Sequence, residues 1–148
     1  MTKKLITNIK EVTKAQITPA FSAPLYASQP AAGFPAPGDD MVEKPLDLNE
    51  LLIDNPTATF FVRVSGDSME GARIFNGDIL VVDRSVTPKD GSIVVAAVYG
   101  ELVVKRLKLY PQKAELHSEN EGYEPILISE VDDIYIWGVV VGSARVLS

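Results

Sequence analysis

Short runs of β-branched and aromatic residues occupy the chain from Thr57 onward, and they predict strands at residues 58–64, 79–83, 92–98, 102–109, 113–117, 126–128 and 134–141. Turn signals separate the runs: Asn76-Gly77, Pro88-Lys89-Asp90-Gly91, Tyr99-Gly100 and Glu121-Gly122. Just before them, residues 47–53 read Asp-Leu-Asn-Glu-Leu-Leu-Ile. An Asp followed by Glu three positions later, apolar residues on one side and a stop at Asn55-Pro56 predict one short helix. Residues 15–45 carry Pro19, Pro24, Pro30, Pro35, Pro37 and Pro45, too many for a helix or a central strand. That stretch reads as an extended, mobile arm. Phe21, Leu25, Tyr26, Phe34, Met41 and Val42 provide apolar handles by which it can dock.

The expected fold is therefore mostly β, a compact barrel-like or sandwich-like domain over residues 46–148, preceded by an N-terminal arm over residues 1–45 and the short helix. A length of 148 residues suits one modest core. With no cysteine, disulfide scaffolds, thiolate nucleophiles and cysteine-bearing metal sites are excluded. His117 is the only histidine, so a multi-histidine metal centre is excluded and a Ser-His-Asp triad would have to use that residue. No metal or cofactor is expected. No apolar run reaches membrane-spanning length and the opening apolar stretch is too short for a signal peptide, which predicts a soluble cytoplasmic protein. Residues 1–32 hold Lys3, Lys4, Lys10 and Lys14 against Glu11, net +3, which leaves −9 on the remainder of a chain whose total is −6. So acidic a body repels a phosphate backbone, and no helix-turn-helix pattern is present, so direct duplex binding is not expected.

Three features carry possible chemistry. Ser68 follows Val64-Ser65-Gly66-Asp67 at the end of a predicted strand. A serine in a glycine-bearing turn can project its hydroxyl into a cleft faced by backbone N–H groups, as an oxyanion site requires. Taken alone the tetrapeptide is an ordinary turn. Lys105 supplies a second group: strand parity in Leu102-Val103-Val104-Lys105-Arg106-Leu107-Lys108-Leu109 sets it on the face of Val103, Leu107 and Leu109, with Arg106 and Lys108 opposite. An amine held there loses hydration in its charged form, its pKa falls, and the neutral base can take a proton from a serine. The competing reading is a snorkelling lysine whose head stays in water. Third, Ala31-Ala32-Gly33-Phe34-Pro35 is a small-residue stretch within the arm; it is either a hinge or a substrate strand that offers little bulk on both sides of a scissile carbonyl. His117 reads as a strand-edge or surface residue, Trp137 as core.

In this order and spacing the three features resemble the S24 family of self-cleaving peptidases, and its UmuD branch more than its LexA branch. The likeness runs from about Ala32 to Val141 through Ala32-Gly33-Phe34-Pro35, Leu46-Asp47-Leu48-Asn49-Glu50-Leu51-Leu52, Ser65-Gly66-Asp67-Ser68-Met69, Asn76-Gly77-Asp78-Ile79-Leu80-Val81-Val82-Asp83 and Ile136-Trp137-Gly138-Val139-Val140. The resemblance implies a LexA- and signal-peptidase-like β domain with Ser68 as nucleophile, Lys105 as general base and Ala32-Gly33 as the bond that is cut. It also implies backbone N–H groups of Asp67 and Ser68 as oxyanion donors. By the same likeness the chain is a homodimeric SOS-response protein that the RecA nucleoprotein filament stimulates to cleave itself, and the processed form joins an error-prone, UmuC-like Y-family translesion polymerase. The family pattern is departed from at the scissile bond, where Ala32-Gly33 stands in place of the Cys-Gly expected in the UmuD branch, and residues 1–31 match nothing in it.

Two other readings stay open on residues alone. One is a non-catalytic dimeric β module that accompanies a polymerase; the other is a fragment of a LexA-type transcriptional repressor, which the absent helical reader domain disfavours. The +3 arm and −9 body further predict that charge helps hold the arm. Raising salt should then make the arm more susceptible to an added protease, and equal susceptibility at low and high salt would remove the electrostatic part of that expectation.

Overall fold

The β-branched runs fold into one antiparallel sheet of eight strands in the computed structural model, which describes residues 8–15, 23–26, 42–129 and 131–147. In chain order the strands are β1 (Asn8–Lys14), β2 (Ala23–Tyr26), β3 (Val42–Leu46), β4 (Thr59–Ser65), β5 (Ile79–Asp83), β6 (Ile93–Val98), β7 (Glu101–Tyr110), β8 (Lys113–His117), β9 (Ile126–Leu127) and β10 (Ile134–Ala144). The large sheet runs β1-β4-β5-β10-β6-β7-β8-β9, and it curls until β1 also meets β7, with Asn8 opposite Val103. This is the expected mostly β, barrel-like architecture, in the form of a rolled sheet and not a closed barrel. The predicted strand positions hold to within a residue or two at most ends, and β5 and β8 have the predicted bounds.

Neighbouring positions on a strand face opposite sides of a sheet. Val94 and Val95 on β6, and Val103 and Val104 on β7, are nevertheless all fully buried. Two apolar clusters account for this. Val95 and Val104 pack with Val62, Val64, Met69 and Leu80, whereas Val94 and Val103 pack with Leu107, Leu116, Ile134 and Val139. Each fully buried valine or leucine contributes roughly 1.5–3 kcal/mol relative to exposure, so the middle of the sheet is held from both sides. Trp137, expected in the core, is partly buried against the first cluster; its ring lies 5.3 Å from that of Phe60, and the Arg84 guanidinium stacks 4.4 Å from it.

β1 lies in a segment that the residue pattern assigns to the arm. It pairs with β4 from Asn8 opposite Ser65 to Lys14 opposite Phe60, with an irregularity between Ile9 and Glu11. That bulge puts Ile9 and Val12 three residues apart, which breaks the period-two signal. A separate unit, residues 16–54, contains β2, β3 and the helix α1 (Leu48–Leu52). β2 and β3 pair with Pro24 opposite Pro45, tolerable because a two-stranded sheet consists only of edges. The Asp47 carboxylate caps α1 by accepting the Asn49 N–H at 2.9 Å, the role read from the sequence.

The β4–β5 connection is pinned by one buried carboxylate. Asp78 accepts Arg145 Nε at 2.7 Å, Arg145 Nη2 at 2.8 Å and the Phe75 N–H at 2.9 Å. Arg145 outweighs burial here and holds the Asp78 carboxyl below the ordinary carboxylate range. That contribution to stability is present above the unfolded carboxyl value and is lost as pH falls through the folded one. Arg145→Ala leaves the buried carboxylate with the Phe75 N–H as its donor and is expected to lower the urea unfolding midpoint at neutral pH. At pH 3 the difference from wild type should be smaller.

Candidate active site

At the end of β4 the chain turns through Gly66, whose φ of 99° lies in the left-handed region that glycine occupies without strain. The Gly66 N–H donates to Asn76 Oδ1 at 3.2 Å, and the Val64 carbonyl accepts the Gly77 N–H at 2.8 Å. The turn that carries Ser68 is thereby tied to the Asn76-Gly77 turn ahead of β5. Ser68 is fully buried, with Met69 inserted in the first apolar cluster behind it and the 3₁₀ turn Glu70–Ala72 following.

Lys105 stands in the middle of β7 opposite Val94 of β6 and is also fully buried. Its face is the predicted one: Val103 and Leu107 are buried with it, and Arg106 and Lys108 lie on the more open side. Leu109 departs from the pattern and is 46% exposed, because β6 ends its pairing at Ile93 opposite Arg106 and leaves the last residues of β7 with β8 alone. Burial lowers the Lys105 amine from 10.5 to about 8.

The residues that join these two positions were not singled out from the sequence. Immediately after β8, Ser118 Oγ accepts a hydrogen bond from Lys105 Nζ at 2.5 Å. The Glu119 N–H donates to the Ser68 carbonyl at 2.7 Å, and the Glu119 carbonyl accepts the Gly71 N–H at 2.6 Å. Asn120 Nδ2 donates to the Asp67 carbonyl at 2.7 Å, the Tyr123 hydroxyl donates to the Asp67 carboxylate, and Lys105 Nζ lies 5.5 Å from the centre of the Tyr123 ring. Residues 118–123 thus bind the Ser68 turn on one side and the Lys105 amine on the other. Burial and the Asp67 carboxylate push the Tyr123 hydroxyl up to about 12, so it stays a donor at any physiological pH. Only glycine fits at position 71, since a Cβ there would stand 2.5 Å from the Glu119 carbonyl oxygen. The one signal in the sequence was Glu121-Gly122, which marks a turn but not what the turn touches.

A buried ammonium is costly, and its sign is testable. At pH 7 Lys105 is protonated both folded and unfolded, so the drop from 10.5 to about 8 corresponds to a destabilisation of about 3 kcal/mol. That cost is full below pH 8, fades as pH rises from 8 to 10.5 and vanishes above. Lys105→Met keeps the volume without the charge, and after the lost Ser118 hydrogen bond it is expected to stabilise the protein by about 1–2 kcal/mol at pH 7. Urea unfolding should show that gain shrinking toward pH 10.

His117 sits partly buried at the end of β8, an inner strand and not the expected edge, with its Nε2 2.9 Å from Glu115 Oε1. Among the described residues no group of His, Asp and Glu can hold a metal ion, and no helix is long and apolar enough to cross a membrane. Ala32 and Gly33 lie outside the described residues.

The rolled antiparallel sheet holds a buried serine turn and a desolvated lysine, and the chain matches one family model over most of its length. It belongs to the Peptidase S24-like family of peptidases, matched over residues 24–141. The relatives bear out the resemblance to the UmuD branch: protein MucA of Salmonella typhimurium is 43% identical over 122 residues, 82% of this chain and 84% of that protein. Protein ImpA of Shigella flexneri is 45% identical over 82% of each chain, and protein SamA of Salmonella typhimurium 46% identical over 80% of this chain and 82% of its own. The LexA repressor of Magnetococcus marinus is 40% identical over 75% of this chain, which spans only 49% of that repressor.

Proposed function

We propose that the chain is a UmuD-type SOS-response autoprotease that cuts its own Ala32-Gly33 bond with a Ser68-Lys105 dyad. The observation that carries this reading is the Lys105 amine: fully buried on an apolar face, it deprotonates near pH 8, and it is tied through Ser118 and Glu119 to the turn that bears Ser68. A lysine kept inside only for packing would be served better by an apolar side chain.

The chemistry follows from those groups. Neutral Lys105 takes the Ser68 hydroxyl proton as Oγ attacks the Ala32 carbonyl carbon, and backbone N–H groups of Asp67 and Ser68 receive the oxyanion. The Lys105 ammonium then returns that proton to the departing Gly33 nitrogen as the peptide bond breaks. Water, deprotonated by the same amine, attacks the Ala32 ester, and the Lys105 ammonium gives the proton to the departing Ser68 Oγ; residues 1–32 leave with a new carboxylate at Ala32, and residues 33–148 remain as a fragment of 116 residues. No metal or cofactor takes part. The family likeness adds a cytoplasmic homodimer, stimulation by the RecA filament on single-stranded DNA, and use of the processed form by a UmuC-like Y-family translesion polymerase.

Intact mass spectrometry of purified protein, with and without an activated RecA filament, tests the reading. The expected product is the 116-residue fragment alone with its 32-residue partner. A chain that stays whole under all conditions would instead make the protein a non-catalytic binding module.

A further inference from the structure

A lysine can act as general base only if its single lone pair points at the proton it must take, and an amine on a four-carbon stem turns freely unless something holds its N–H groups. We propose that Ser118 is the positioning residue of the dyad: its hydroxyl oxygen accepts one N–H of the Lys105 amine and so aims the remaining lone pair at the Ser68 hydroxyl. This rests on the Ser-Lys reading above and names the residue that makes its base competent.

Three features support it. The contact is a direct hydrogen bond from outside β7, so it holds Nζ against a different part of the fold. Ser118 itself cannot drift, because the next residue is clamped at both backbone groups, the Glu119 N–H on the Ser68 carbonyl and the Glu119 carbonyl on the Gly71 N–H. The same clamp sets the position of Ser68, so nucleophile and base are referred to one short segment. Orientation of this kind is worth orders of magnitude in rate when the groups are otherwise free to turn.

The other surroundings of the amine carry little competing charge. β6 contributes only Ile93, Val94, Val95, Ala96, Ala97 and Val98. On β8, Glu115 is engaged by Lys113 and His117. Glu119 is paired with Arg106, Glu11 of β1 with Arg63, and Asp67 is held by the Tyr123 hydroxyl whose ring faces the amine; Glu70 and Glu121 are exposed. An acceptor hydroxyl favours the ammonium, so removing it must lower the Lys105 midpoint further.

The test uses the full chain with Ser118→Ala, Ser118→Thr and Ser118→Cys, and two readouts. The first is the Lys105 midpoint, followed by NMR of carbon-labelled lysine in a Ser68→Ala background, with Lys105→Met identifying the signal. The second is the rate of self-cleavage against pH. Ser118→Ala should move the midpoint and the acid limb of the rate down by about half to one pH unit and lower the plateau rate about tenfold. Ser118→Thr, which keeps the hydroxyl, should restore both to within about twofold. Ser118→Cys, similar in size but a poor acceptor, should behave as alanine and serves if alanine fails to fold. An unmoved midpoint in both the alanine and cysteine variants, or a threonine variant as impaired as alanine, would overturn the proposal. A protein that never cleaves but whose Lys105 midpoint follows Ser118 would sink the autoprotease and leave the coupling intact. Conversely, cleavage with a pH profile indifferent to Ser118 would keep the autoprotease and discard its positioning residue.

Discussion

Ser68→Ala protein should remain whole under conditions in which the proposed reaction splits the wild type into residues 1–32 and 33–148, a loss of about 10³-fold or more in cleavage rate. The hydroxyl is the only atom removed, and the turn that carries it is held by bonds to the backbone: the Ser68 carbonyl accepts the Glu119 N–H, and the flanking Asp67 carbonyl accepts Asn120. Folding should therefore survive. Lys105→Ala should lose as much activity. Lys105→Arg is the sharper variant, since it retains the positive charge in a group that does not deprotonate. If charge alone sufficed, the arginine variant would cleave; if a neutral base is required, it stays whole. Intact mass over a day at pH 8 reads all three, and undiminished cleavage by Ser68→Ala would remove Ser68 from the mechanism.

The second large effect is on pH. With Lys105 at about 8, the neutral fraction at pH 6 is about one in a hundred, so the first-order cleavage rate should rise about tenfold per unit below pH 8 and level off above it. Between pH 6 and pH 9 the gain is roughly a hundredfold. The direction distinguishes the lysine from other bases in the chain: a carboxylate would have finished titrating by pH 6, and His117, paired with Glu115 at the end of β8, belongs to a different contact. His117→Gln should leave the profile where it is. A flat profile from pH 6 to 9 would mean that proton removal by Lys105 does not limit the reaction.

Both effects depend on a residue that stability alone would not select. Lys105 weakens the fold at neutral pH through the same burial that makes it a base at that pH, a trade-off expected of a functional group and not of a packing one. The positions around it follow the ordinary rules. Val94, Val103 and Leu107 could exchange for other apolar residues of similar volume at a cost of about 1.5 kcal/mol or less.

Most of the sheet was legible along the chain because strands announce themselves locally. A β-branched run that follows the Asn76-Gly77 turn located β5 with its exact ends, and the two-residue period was enough to put Lys105 beside Val103 and Leu107. The Asp47 cap, the serine turn and the family motifs are likewise properties of neighbouring residues. What tertiary structure decided is what depends on residues distant in sequence. β1 was hidden by a bulge that spoils its period, and only its pairing with β4 reveals it as a strand. Leu109 was misjudged because its exposure depends on how far β6 extends, a fact about another strand. The contacts of Ser118 with Lys105 and of Glu119 with Ser68 span 13 and 51 positions, and they exist because β8 returns alongside β7 and delivers its end to the β4–β5 connection. Residue types and spacing determined which groups could act; the curl of the sheet removed water from the amine and thereby set the pH at which it can.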